Sequence, residues 1–170
     1  MTCISHMVAG KYCYCDLECI GDTMYKIFLS GPYSHPWRQQ FRIKVEQELS
    51  NFDIVLIDTD ETTYYLSTRE LITYEFTLLR ECDALVAYID ASCPVHTFFH
   101  LAFIRLLNMP TIILVFEECW NDFKDNQLLL AVSQDMIKVD SYLCPFSQVR
   151  NSLVKIIDIF NSCHIKVSHD

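Results

Sequence analysis

LITYEFTLLRECDALVAYIDASCPVHTFFHLAFI, residues 71–104, is the stretch whose reading decides the fold. Apolar residues recur at helical spacing up to about residue 81, six apolar residues follow at 84–89, and a second apolar helical segment occupies 97–107. A strand apolar on both faces and flanked by helices belongs at the centre of a parallel sheet that is covered on both sides. Such sheets bind ligands beyond the carboxyl ends of their strands, which directs attention to residues 90–100.

Working outward, KIFLS at 26–30 reads as a short strand, and Gly31, Pro32 and Tyr33 make the turn at its end. A helix fits 36–49, with Phe41, Val45 and Leu49 on one face. DIVLI at 53–57 is a second strand, ending in Asp58, Asp60 and Glu61. Ser67 or Thr68 caps the helix that leads to residue 81. On the other side, Asn108 and Pro110 stop the helix, TIILVF at 111–116 is the fourth strand, and 117–125 reads as an acidic, aromatic loop. A short apolar piece at 128–132 precedes MIKV at 136–139, an edge strand, and an amphipathic helix at 146–160 closes the pattern. Five alternations of strand and helix predict a flavodoxin-like, doubly wound five-stranded parallel α/β sheet of order 2-1-3-4-5. Its switch point lies between the first and third strands, so Gly31, Pro32 and Tyr33 face 90–100 across one crevice.

Composition narrows the function classes. The chain has 170 residues, 51% hydrophobic and 21% charged, enough for one core of ordinary size, and no apolar run approaches membrane-spanning length. A net charge of −9 works against duplex nucleic acid as a partner, since neutralising phosphates takes clustered Lys and Arg. Nine cysteines without framework spacing, and no continuous apolar leader segment, predict reduced thiols and a cytoplasmic location. With only three glycines there is no GxGxxG or Walker loop. Residues 1–24 are polar and cysteine-rich, an extension before a domain at 25–170. Its Cys13, Cys15 and Cys19, with Cys3 and His6 nearby, lack the paired spacing of a zinc knuckle and read as free thiols.

Four segments, in order, resemble the nucleoside 2-deoxyribosyltransferase family and its nucleotide N-glycosidase relatives, over about residues 26–161. They are KIFLSGPYS (26–34), YEFTLLRECD (74–83), AYIDASCPVHTFFHLAF (87–103) and NQLLLAVSQDMIKV (126–139). The first is similar to the strand and turn that hold base and sugar. The second keeps the family's acid, seven residues, then Asp. The third is similar to the segment ending in a GTxxE turn and helix, and the fourth to one that reaches a neighbouring subunit's site. The family splits one displacement at the anomeric carbon into two through a carboxylate nucleophile.

The resemblance implies specific roles. Aligning His96 and Thr97 with the family's Gly-Thr places His100 at the nucleophilic Glu, where an imidazole would act as a base toward water. Glu75 stands at an acid that handles base or sugar, Asp90 ends the third strand at the crevice, and Tyr33 is placed to stack on or hydrogen-bond a base. Asp135 takes the place of an amide residue lent across a subunit interface, and Asp83 reads as structural. Cys93 beside His96 and His100 would be a thiol dyad only in a context this sequence lacks. The low number of cations near the crevice, Arg38 and Arg80 being the nearest, favours unphosphorylated substrates. The expectation is therefore recognition of a nucleoside or nucleotide with N-glycosidic cleavage or deoxyribosyl transfer, in a homo-oligomer, without metal or other cofactor. The competing expectation is a catalytically inactive nucleotide-binding or protein-interaction module.

Overall fold

The structure, a computed structural model, describes residues 24–33, 36–59, 66–140 and 146–165, with two short strands ahead of them. Those strands, β1 (Met7–Val8) and β2 (Lys11–Tyr12), pair antiparallel apart from the main sheet. The cysteines weighed as a zinc site, and His6 with them, lie outside the described residues.

The main sheet comprises β3 (Tyr25–Ser30), β4 (Ile54–Ile57), β5 (Ala84–Ile89), β6 (Thr111–Phe116) and β7 (Asp135–Val139). All four pairings are parallel and the order is β4-β3-β5-β6-β7, the 2-1-3-4-5 order of the flavodoxin-like fold. Helices α1 (Trp37–Glu48), α2 (Thr68–Arg80), α3 (Val95–Leu107), α4 (Trp120–Phe123), α5 (Gln127–Val132) and α6 (Phe146–Ile165) supply the crossovers and covers.

Alternation along each strand feeds two cores. Ile27, Leu29, Val86 and Tyr88 point to one face, where Trp37 and Phe41 of α1 and Val149, Leu153 and Ile156 of α6 cover them. Phe28, Leu85, Ala87 and Ile89 point to the other, against Leu79 of α2 and Leu101 and Ile104 of α3. Every residue of β5 and β6 is buried, as both-face apolar patterning requires. At about 1.5–3 kcal/mol for each fully buried large side chain, these two layers dominate the stability of the domain.

Local chemistry sets the helix ends. Ser67 and Glu70 form a reciprocal capping box at α2, and the exposed Glu70 carboxyl is held below the ordinary glutamate range by the Ser67 hydroxyl and backbone N–H. Asn108 ends α3 in the left-handed conformation at φ 49°. The segment 117–125, expected as a loop, instead carries a 3-10 turn at Glu117–Cys119 and α4, because Cys119 is buried and Trp120 and Phe123, half-buried, pack against the same core as α3 and β6. Tertiary packing here overrides a polar composition. Among the described residues no helix is long and apolar enough to cross a membrane.

Candidate functional site

The carboxyl ends of β3 and β5 meet where the strand order reverses. Gly31, just past β3, has φ +152°, and a Cβ on it would sit 2.8 Å from the carbonyl oxygen of Tyr88 and 3.1 Å from the Trp37 ring. Glycine thus lets the turn press against β5, a contact no other residue could make unstrained. The Pro32 carbonyl accepts from Trp37 Nε1 at 3.1 Å, fixing the turn to the start of α1.

Inside this turn lies a buried polar chain. Ser30 Oγ is 2.8 Å from His100 Nδ1, and His100 Nε2 is 3.2 Å from Glu75 Oε2. The other carboxylate oxygen, Oε1, accepts from Thr59 Oγ1 at 2.9 Å and from the Tyr33 hydroxyl at 3.1 Å, and these two hydroxyls also hydrogen-bond each other. Two hydroxyl protons thus serve three contacts, so the donors face the carboxylate in competition. Glu75 is 0% exposed, Ser30 1% and His100 2%, while Tyr33 at 36% marks the rim. Apart from the imidazole, Oε2 has no partner among the described residues.

α2 places Glu75 by presenting its buried stripe, Glu75 and Leu79, to the sheet. α3 does the same with Thr97, His100, Leu101 and Ile104, one helical stripe that begins beyond Pro94. His100 makes T-shaped contacts with Phe28 and Phe76, with ring centroids 5.3 and 5.9 Å away. His96, one turn earlier, bridges His100 (5.5 Å) and Tyr33 (5.8 Å).

Electrostatics follow from that enclosure. Burial alone would push the Glu75 carboxyl up. The hydrogen bond and charge of His100, the Thr59 hydroxyl and the charge of His96 outweigh it and hold the group below the ordinary glutamate range. Burial lowers His96, against the attraction of Glu75 and aided by His100 and Arg38. Burial also raises the Tyr33 hydroxyl. Arg38 is 9% exposed: its guanidinium donates to the carbonyls of Gly31 (2.7 Å) and Thr59 (3.4 Å) and lies 4.1 Å over the Tyr33 ring. It ties the ends of β3 and β4 together.

Of the residues singled out in the sequence, Gly31, Tyr33, Glu75 and His100 come together here, with Pro32 behind them. Asp90, 5% exposed, ends β5 nearby and accepts from the backbone N–H and hydroxyl of Ser92, both at 2.8 Å, so it shapes the turn into α3. Asp135 lies apart, at the opposite end of the sheet, where it pairs in register with Ile112 and accepts from Ser152 Oγ at 2.6 Å. Asp83 takes the Lys26 backbone N–H at 3.0 Å, a stitch between β3 and β5. Cys93 is a poor thiolate, its thiol pushed up to about 11 mainly by burial. A surface hollow of about 470 Å³, lined by Phe52, Arg150 and Lys155 among others, sits near the amino ends and shares no residue with this group.

Two members escaped the sequence. Ser30 reads as the last residue of an apolar strand, and Thr59 as a spacer in an acid cluster. The available signal was position: both are hydroxyl residues at the carboxyl ends of adjacent strands, where side chains turn toward a crevice.

No family model and no curated protein sequence matches the chain. Among solved structures it is similar to the CMP N-glycosidase BcmB of Clostridium botulinum, with a TM-score of 0.44 and 13% identity over 79% of this chain and 98% of that one. No residue role follows from a likeness at that level.

Proposed function

We propose that the crevice recognises a nucleoside or nucleotide and cleaves its N-glycosidic bond, as a member of the nucleoside deoxyribosyltransferase class. The observation that carries this reading is the carboxylate of Glu75, buried at the switch point with a histidine and two hydroxyls arranged around it. A fixed carboxylate stabilises the positive charge that grows on an anomeric carbon as its bond to a base lengthens. In hydrolysis, water adds to C1′, the C1′–N electron pair leaves with the base, and the proton released by water passes by way of Glu75 to the nitrogen of the departing base; free base and sugar result. Transfer to a second base would need the family's carboxylate at position 100, where this chain has His100.

Tyr33 at the rim offers a face for a base, stacked on its outer side while Arg38 covers the inner one. Because Arg38 is committed to two backbone carbonyls, the reading favours unphosphorylated substrates. Asp90 shapes the opposite wall, and Asp135 would serve only a neighbour's site. Homo-oligomerisation is supported by Val95, Phe99 and Leu106, which align on one exposed face of α3. A light-scattering mass equal to one chain would remove that element. The proposed setting is cytoplasmic, with residues 1–24 as an extension outside the catalytic domain.

One observation favours the second reading, an inactive nucleotide-binding or interaction module: Glu75 and His100 are enclosed, each already engaged by protein partners. The deciding experiment is base release from a panel of 2′-deoxynucleosides and their 5′-monophosphates, wild type beside Glu75→Gln. Release by the wild type that is lost in the variant supports the enzyme. Ligand binding by calorimetry without release supports the module.

A further inference from the structure

The histidine at the carboxylate's side has two ring nitrogens and two neighbours, and the neighbours are not equivalent. Nε2 faces Glu75 Oε2 at 3.2 Å and Nδ1 faces Ser30 Oγ at 2.8 Å, with every group 2% exposed or less. Were the proton on Nδ1 alone, a lone pair on Nε2 would point at a carboxylate whose other oxygen is held by two hydroxyl donors. At groups this deeply buried that contact is repulsive. In the neutral imidazole the proton therefore sits on Nε2, and Nδ1 is left as an acceptor. Ser30 is the hydroxyl within reach, and its donation satisfies both groups.

We infer that Ser30 is a positioning residue, its hydroxyl donating to His100 Nδ1 so that the imidazole presents its N–H to Glu75. This reverses the role expected of His100. A histidine at the place of a nucleophilic Glu is not the base of the reaction but the donor that orients a carboxylate contributed by another helix. The surroundings agree: the ring is clamped by Phe28 and Phe76, which cannot exchange protons with it. The other charged or titratable groups facing this cluster are His96, against the His100 ring, Tyr33, whose hydroxyl is on the Glu75 carboxylate, and Arg38, over the Tyr33 ring.

The inference rests on the proposed reaction only for its kinetic consequence; the tautomer itself is independent of it. The test is long-range ¹H–¹⁵N NMR on protein labelled at histidine, with the His100 signals assigned by their loss in His100→Gln. Wild type should show a pyrrole-type, protonated Nε2 and a pyridine-type Nδ1 at neutral pH. Ser30→Ala should shift His100 toward a mixture of protonation states, and Ser30→Thr, which keeps the hydroxyl, should restore the wild-type pattern. A protonated Nδ1 in the wild type, or a pattern unchanged in Ser30→Ala, overturns the inference. Where base release is measurable, Ser30→Ala should lower kcat by about 10–100-fold, as loss of a residue that orients a reacting group does, with KM little changed. Equal kcat in the two proteins overturns the positioning role. Absence of release in every protein, with the expected NMR pattern, removes the reaction and leaves the tautomer assignment standing.

Discussion

The two ends of the sheet each hold carboxylates against the same strands, and they do different things with them. At the amino end Asp83 accepts the Lys26 backbone N–H and Asp135 accepts one serine hydroxyl. Each stitches neighbouring elements together, and at each another acceptor of similar reach would serve. At the carboxyl end Glu75 gathers Tyr33, Thr59 and His100, and through His100 reaches Ser30. Four separate elements or turns converge on one side chain, out of water. An acid that only joined helix to sheet would not need a histidine whose second nitrogen is also provided for. The contrast separates a carboxylate that builds the fold from one around which the fold has been built.

The comparison is broken most directly by removing Glu75. Glu75→Ala leaves the His100 Nε2 proton facing no acceptor between aromatic walls, and losing one partner of a buried pair costs about 3–5 kcal/mol. Urea unfolding should show this, and a double variant with His100→Leu should lose less than the two single changes added together. Additive losses would mean that the pair is not coupled.

Gly31→Ala comes next. The positive φ and the 2.8 Å approach to the Tyr88 carbonyl predict a loss of about 1–3 kcal/mol, with the polar chain displaced as the turn backs away from β5. A variant as stable as wild type would show that the turn is not pinned. At the other end, Asp83→Ala strands one part-buried N–H and should cost about 1 kcal/mol, without altering nucleoside binding measured by calorimetry. A binding defect there would erase the distinction between the two ends.

Much of this contrast could be read from the sequence, and the part that could not has a physical reason. The both-face apolar runs at Ala84–Ile89 and Thr111–Phe116 leave no other place for these strands than the sheet centre, and the helix stripes follow from spacing alone. Strand order then carries Gly31, Tyr33 and His100 to one crevice. Glu75 looks like any acid on a mostly polar helix until the helix is rotated onto the sheet, and its charge gives no hint of burial. Ser30 and Thr59 are silent for a related reason: a hydroxyl at a strand end is ordinary, and its meaning depends on what another element brings within 3 Å. The fold of 117–125 was hidden by its acids, although Cys119, Trp120 and Phe123 supply the apolar side that packs it.

The smallest expected effect concerns the rim and turns on sign. His96 titrates at 6.5 when solvated, and in the folded protein burial, with His100 and Arg38, lowers it against the pull of Glu75. Between the folded value and 6.5 the unfolded chain binds the extra proton, so stability falls as pH is lowered through that window and is unaffected by this group above it. Glu75 behaves differently. Its folded value lies below the ordinary 4.5, so its stabilisation is complete above 4.5 and lost only as pH falls through the lower folded value. Acidification should therefore weaken the rim before it reaches the buried carboxylate. Chemical unfolding of wild type and His96→Phe at pH 7.5, 6 and 5 checks this. The variant, which keeps a ring against Tyr33, should gain on the wild type as pH drops below 6.5, by an amount muted because His96 is only half-buried. Parallel curves would mean that the imidazole stays hydrated in the folded protein, and that the crevice is open at its rim to a ligand without any side chain having to move.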